Sequence, residues 1–173
     1  MAMGDALAMV MIDAQKFDIS SYAMNHPAGA IGRALVMKVS DIMRTGAKLA
    51  LVKPTATVLE TVMAMTAAKG GAAAIVDDEG RLEGVFTDGD FRRVMALGSD
   101  KGGNGAGDLI KTLNDPISTV MTARPSFVFD DAYAAELLKI FEKKHIDDLP
   151  VCNRAGKVVG LVDIQDLPKM KVL

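Results

Sequence analysis

The chain has 173 residues and a net charge of −2, with no dense basic run, so its composition does not favour nucleic-acid binding. Its single cysteine excludes an internal disulfide, and two histidines with one cysteine show no ligand spacing typical of a metal site. No apolar run reaches the length of a membrane-spanning helix, which predicts a cytoplasmic protein without a membrane partner. The length suits one domain or two small ones.

The first residues predict helices that belong to a larger body. Residues 1–16 carry apolar side chains at helical spacing and on nearly every face, which is typical of a buried helix. A second helix, 19–24, must end before Pro27, because proline disfavours helical geometry in the residue before it. A flexible glycine-containing turn follows at 28–33. We therefore expect this segment to have lost its original neighbours.

From Val39 onward the pattern changes to short strands and helices. The order is strand, helix, strand, strand and helix, at 49–53, 57–69, 72–76, 81–86 and 88–97. Thr57 and Glu60 predict a capping box at the first helix, and Gly70-Gly71 predict its left-handed end. Gly98 closes the second helix.

The same order then returns after a stretch with four glycines in nine residues, 99–107, which predicts a flexible linker. Strands are predicted at 126–129, 149–152 and 157–162, with a helix capped by Asp131 and a short helix at 163–167. Four matched pairs lie 76 positions apart: Gly80 and Gly156, Gly84 and Gly160, Asp90 and Asp166, Val52 and Val128. The chain therefore contains a tandem duplication. We divide it into a remnant (1–38), a first unit (39–98), a linker (99–115) and a second unit (116–173).

The stretch Gly84–Arg93, G-V-F-T-D-G-D-F-R-R, places polar groups where a strand leads into a helix. The free N–H groups of a helix start attract anions such as phosphate. Asp90 suits a ribose diol, because a carboxylate accepts two hydrogen bonds, and Arg92 or Arg93 suits a phosphate. Thr87 and Asp90 also fit a capping box that needs no ligand. The residues alone leave both interpretations open.

Each unit opens with a V/I-x-x-h-M pattern, has a turn ending in glycine, and carries G-h-h-x-x-x-D-h at its last junction of strand and helix. This doubled pattern, over residues 39–167, resembles a CBS (cystathionine β-synthase-type) domain pair. The resemblance implies an α/β (α+β) fold of two β-α-β-β-α units, related by a pseudo-two-fold and binding adenosine or other nucleotides between them. It implies that Thr87 and Asp90 hold a ribose. In the second unit Asp166 matches, but Asp163 replaces the hydroxyl and adds a charge that repels phosphate, so we expect one competent cleft.

The N-terminal part adds Gly4-Asp5-Ala6-Leu7-Ala8 and Asn25-His26-Pro27-Ala28-Gly29-Ala30-Ile31-Gly32-Arg33. Together with Thr87–Arg93, these segments resemble arabinose 5-phosphate isomerases, in which a sugar isomerase (SIS) domain precedes a CBS pair. The resemblance implies interconversion of ribulose 5-phosphate and arabinose 5-phosphate for synthesis of the lipopolysaccharide sugar Kdo. His26 matches a histidine of that family's active site. No glycine-rich phosphate loop accompanies it and the SIS domain proper is absent, so we expect no catalysis by this chain alone.

His145 aligns with Lys69 at the same offset of 76, so both units place a potential cation at the end of a helix. One interpretation is a favourable interaction with the helix dipole, and the other is contact with a phosphate or a sugar acid. Asp147 and Asp148 predict a solvated strand edge.

Our leading hypothesis is a CBS pair that senses a ligand and regulates a sugar-phosphate isomerase. It needs no cofactor, and AMP, ADP, ATP or CMP-Kdo is the expected regulatory ligand. The predicted ligand-binding residues are Thr87, Asp90, Arg92, Arg93, His145 and Asp166. The alternative is an assembly module that binds no ligand and dimerises through its apolar helix faces, within a tetrameric parent enzyme.

Overall fold

The computed structural model describes residues 10, 11, 37–100 and 105–170. One sheet has the order β1-β2-β3-β4, formed by β1 (Ala50–Val52), β2 (Ala72–Val76), β3 (Leu82–Thr87) and β4 (Thr122–Ala123). The other has the order β5-β6-β7, formed by β5 (Val128–Phe129), β6 (Asp148–Cys152) and β7 (Val158–Asp163). The α-helices around the two sheets are numbered α1 (Val58–Ala68), α2 (Asp88–Asp100), α3 (Gly105–Asn114) and α4 (Ala134–Lys144). Short 3₁₀ turns are Val39–Asp41, Gly46–Lys48, Ile117–Thr119 and Ile164–Met170.

The duplication is visible in the backbone pairing of the two sheets. β1 runs parallel to β2 and β2 antiparallel to β3, and β5, β6 and β7 repeat this arrangement. The register shifts between Ile75 and Val76 in the first sheet and between Val151 and Cys152 in the second. These irregularities lie 76 positions apart, so even a local departure from ideal pairing is duplicated.

Each unit inserts its opening segment into the other unit. Val39 is fully buried in the core that contains Val128 and Leu137, whereas Ile117 is fully buried in the core that contains Phe86. The backbone follows the same exchange. β4 pairs with β3. The amide of Arg44 donates to the carbonyl of Leu161 at 2.8 Å, and the amide of Leu161 donates to the carbonyl of Arg44 at 3.1 Å.

Two glycines make this exchange sterically possible. A Cβ added at Gly160 would lie 2.5 Å from Sδ of Met43, and one added at Gly84 would collide with Sδ of Met121. The glycines that the sequence pattern pairs at an offset of 76 therefore leave room for the methionine of the opposite opening.

The helix starts follow the predicted capping chemistry more closely than the helix ends. At α1 the amide of Glu60 donates to Oγ1 of Thr57 at 3.1 Å and the amide of Thr57 donates to the Glu60 carboxylate at 2.8 Å, which confirms the capping box. The predicted glycine cap is wrong, because Lys69 holds the left-handed conformation, with φ of 53°. The following amide, from Gly70, bonds the carbonyl of Met65 and closes the turn.

The predicted boundaries also fail elsewhere. Helix α2 continues beyond Gly98 to Asp100, and α3 occupies 105–114, inside the stretch predicted as a linker. The prediction of a helix cap at Asp131 is wrong, because α4 begins after Tyr133 without a side-chain cap and the Asp131 carboxylate instead accepts a hydrogen bond from Nε of Arg154 at 3.0 Å.

Little of the N-terminal segment is described. Val10 and Met11 are helical, in agreement with the helix predicted at 1–16. The predicted helix at 19–24, His26 and the turn at 28–33 lie outside the described residues. Within 10–11, 37–100 and 105–170, we find no helix with the length and hydropathy needed to cross a bilayer.

We expect Gly160→Ala to destabilise the chain, because the new methyl group collides with Met43 where the two units exchange their openings. Overpacking of this kind costs about 1–3 kcal/mol in unfolding free energy. Urea denaturation measures the loss. Gly89→Ala is the matched control, since its Cβ meets other atoms at 3.5 Å or more within a helix. Equal stabilities of the two variants would contradict the steric account.

Candidate functional site

A cavity of about 610 Å³ lies where β3 leads into α2, and residues from both units line it. Five of the six residues predicted to bind a ligand are among its lining: Thr87, Asp90, Arg92, Arg93 and His145. The first four come from one junction of strand and helix. His145 comes from the end of α4 in the other unit.

Thr87 and Asp90 form a complete capping box at the start of α2. The amide and hydroxyl of Thr87 donate to Oδ2 of Asp90 at 2.9 and 2.8 Å, and the amide of Asp90 donates to Oγ1 of Thr87 at 3.2 Å. Arg93 donates to the other oxygen, Oδ1. The carboxylate is 6 % exposed, and both its oxygens have partners within the chain. The structure therefore contains the capping arrangement, in a place where Asp90 still borders the cavity.

Basic side chains also line the cavity. The side chains of Arg92 and Arg93 are exposed, and His145 is an exposed residue in the left-handed conformation, with φ of 50°. Lys69, its equivalent in the first unit, has the same conformation. Nζ of Lys144 donates to Oγ of Ser126, a lining residue, at 2.8 Å. The arginines supply positive charge, and His145 supplies a ring nitrogen that can donate a hydrogen bond to an anion.

Asp148 differs from the solvated strand edge that we predict for it. It is the first residue of β6, it lines the cavity, and its Oδ1 is buried without a hydrogen-bond partner. Burial, followed by repulsion from Asp163, raises the pKa of the Asp148 carboxyl to about 7. Asp147 and Asp88 act in the same direction, and Arg44 opposes them.

Arg44 of the first unit contacts Asp163 and Asp166, the residues of the second unit that correspond to Thr87 and Asp90. Its Nη2 lies 2.8 Å from Asp163 and its Nε 2.5 Å from Asp166, and its Nη1 donates to the carbonyl of Lys69 at 3.5 Å. The hydrogen bond with Asp166 raises the pKa of Arg44. Asp163 therefore does not add the uncompensated charge that we predict.

Asp166, the sixth predicted residue, does not line the cavity. It is 2 % exposed, and its carboxylate is bound by Arg44. Because Asp166 pairs with Arg44, 122 positions away in sequence, we leave it out of the proposed site. The sequence contains one indication that the two units differ here. At the offset of 78 that relates Met43 to Met121, Arg44 corresponds to Thr122, which has no charge to pair with a carboxylate.

The sequence carries less information about the other lining residues. Thr122, Ser126 and Gln165 line the cavity without a recognisable motif. Their positions depend on how the two units pack together.

Comparison with known proteins identifies the family. Residues 39–97 and 117–169 match the model of the CBS domain. The chain belongs to the CBS domain family, and it carries two copies of the domain as a tandem pair.

The most informative relatives in sequence are arabinose 5-phosphate isomerases. The chain is 34 % identical over 173 residues to arabinose 5-phosphate isomerase KdsD of Yersinia pestis and, equally, to that of Escherichia coli K12. Each alignment covers all of this chain and 49 % of the relative. The chain thus spans about half the length of these relatives.

Solved structures agree on the fold. The CBS-pair protein CBSX2 of Arabidopsis thaliana matches with a TM-score of 0.64 and 26 % identity, covering 79 % of this chain and 94 % of that one. CBSX2 in complex with AMP matches with a TM-score of 0.63 and 23 % identity, covering 79 % and 96 %. These matches confirm the tandem CBS pair.

We expect the free energy of unfolding to fall as pH rises from about 4 to about 7, because the Asp148 carboxyl loses its proton over this range. The folded pKa of about 7 exceeds the ordinary value of 3.8, so the folded state binds more protons in this window and loses stability as they dissociate. The contribution is on the order of 2 kcal/mol after allowance for solvent screening.

Urea denaturation of the wild type and of Asp148→Asn, at about pH 5 and about pH 8, isolates this contribution. The variant should lose less stability between the two conditions. The exposed neighbour Asp147→Asn serves as the control. Identical pH profiles for the wild type and Asp148→Asn would contradict the assignment.

Proposed function

We propose that this chain is a regulatory CBS pair of an arabinose 5-phosphate isomerase and that it binds one nucleotide or nucleotide-sugar in the cavity. The convergence of five predicted ligand-binding residues on one cavity carries the proposal. The volume of about 610 Å³ is in the range of small-molecule sites.

The ribose is proposed to bind at Asp90. Oδ1 of this carboxylate is held by Arg93, whose side chain is largely exposed, so a diol can replace that contact without breaking the capping bonds to Oδ2. The released guanidinium then joins Arg92 and His145 in binding phosphate. Arg93 thus makes the contact with Oδ1 of Asp90 that the ribose hydroxyls are proposed to make.

One site per chain follows from the difference between the units. At the cavity, Thr122 of the second unit stands where Arg44 of the first unit stands beside Asp163 and Asp166. The Arg44 side chain fills the space between Asp163, Asp166 and the carbonyl of Lys69. A ligand at the second position would have to displace two ion pairs, both of them partly buried.

Regulation requires a ligand with different affinities for two arrangements of the units. The cavity suits this role because Thr87 and Arg92 belong to one unit and His145 and Asp148 to the other. In the longer relatives this pair would act on the interconversion of ribulose 5-phosphate and arabinose 5-phosphate. CMP-Kdo, the product of the pathway, and adenosine nucleotides are the proposed effectors; a CBS pair of the same fold is described in complex with AMP.

Calorimetric titration of the chain with AMP, ADP, ATP, CMP, CMP-Kdo and arabinose 5-phosphate identifies the effector. We expect Asp90→Ala to abolish binding of that effector. Glu60→Ala is the matched control, because it breaks the corresponding capping box of α1 away from the cavity. Both variants should lose about 0.5–2 kcal/mol of stability through the cap, while only Asp90→Ala should lose binding. Unchanged affinity in Asp90→Ala would reject the ribose site.

Exposed apolar side chains favour a second candidate function, assembly of a homodimer without a ligand. Leu59 and Met63 on α1 are 45 % and 63 % exposed, and Ile110 on α3 is 61 % exposed. The two helices pack together, so their exposed apolar residues are available to a second copy.

We expect Met63→Glu to convert a dimer to a monomer if assembly uses this face, because a charge is costly in an apolar interface. Light scattering gives the mass. Ala155→Glu, at an exposed position in the turn between β6 and β7, is the control and should leave the mass unchanged. A wild-type chain that is monomeric and binds a nucleotide would remove this candidate.

A further inference from the structure

Two carboxylates face one glycine in the wall of the cavity. Oδ2 of Asp148 and Oδ2 of Asp88 each lie 3.5 Å from the point that a Cβ at Gly71 would occupy. All three residues line the cavity, and they come from β6, α2 and the residue before β2. Because Gly71 has no side chain, the space beside both carboxylates stays open to a ligand.

Oδ1 of Asp148 is buried and has no hydrogen-bond partner among the described residues, and the charge of Asp163 repels this carboxylate more strongly than those of Asp147 and Asp88. The other oxygen, Oδ2, borders the space beside Gly71. An N–H group of a ligand in that space would find an acceptor there.

The basic side chains of Arg92 and Arg93 line the same cavity as the carboxylates of Asp88 and Asp148. In the described ranges, no three His, Cys, Asp or Glu side chains are grouped to hold a metal ion. The cavity therefore suits an organic ligand that carries both an anionic group and N–H donors.

We propose that Asp148 and Asp88 recognise the exocyclic amino group of a nucleobase, so that the cavity prefers adenine and cytosine nucleotides to hypoxanthine and uracil nucleotides. An amino group has two N–H donors, one for each carboxylate. An oxo group in the same place would turn its lone pairs toward two carboxylates and be repelled. This inference rests on the proposed nucleotide site and specifies its base.

The test compares nucleotides that differ only by an amino or oxo group. Calorimetric titrations at about pH 8 use AMP against IMP and CMP against UMP, with the wild type, Asp148→Asn and Asp147→Asn. We expect the amino member of the pair that binds to be about tenfold tighter with the wild type. Asp148→Asn should bring this ratio near one, mainly by tighter binding of the oxo nucleotide, because an amide donates to an oxo group. Asp147→Asn removes the same charge one residue away and should keep the wild-type ratio.

The outcomes separate this inference from the proposed function. Equal affinity of the wild type for both members of a pair overturns base recognition and leaves the nucleotide site intact. A ratio that survives in Asp148→Asn also overturns it. If none of the four nucleotides binds, base recognition is overturned too. The proposed nucleotide site is then decided separately, by titrating the wild type and Asp90→Ala with CMP-Kdo. Thermal unfolding checks each variant, and Asp88→Asn replaces Asp148→Asn if the latter does not fold.

Discussion

The exchange of opening segments between the two units is the constraint on which the remaining structure depends. Val39 and Ile117 each complete the core of the opposite unit, and the two methionines that follow them fit only because glycine stands at 84 and 160. The strands that end in these cores lead directly into the helices and turns around the cavity. Apolar packing between the units therefore sets the distance between Arg92 of the first unit and Asp148 of the second, both of which line the cavity.

The two units began from one pattern and now differ in charge. At the first position, Thr87 and Asp90 cap a helix beside an open cavity; at the second, Asp163 and Asp166 hold Arg44. An arginine placed between two carboxylates satisfies them without an outside partner, whereas Asp148, across the cavity, keeps an oxygen without a donor. The difference between the two positions thus arises from a few side chains on a nearly symmetric backbone.

Local sequence patterns were enough to predict the helices and strands. The features that they did not predict depend on contacts between residues far apart in sequence. The capping boxes at Thr57 and Thr87 involve residues three apart, so spacing alone identifies them. Helix α3 packs against α1 and α2, and this packing overrides the preference of its glycines for turns. The surroundings of Asp148 depend on Asp163, Asp88 and Arg44, which come from three other segments, and no local pattern contains that information.

The position of β4 has a consequence for how the chain folds. The fourth strand of the first sheet is Thr122–Ala123, and the first core contains Ile117, so the first unit lacks part of its sheet and core until these residues leave the ribosome. Formation of the first unit must therefore wait for most of the chain, and its decisive contacts are far apart in sequence. Long-range contacts of this kind slow folding and make the two units fold together rather than in succession.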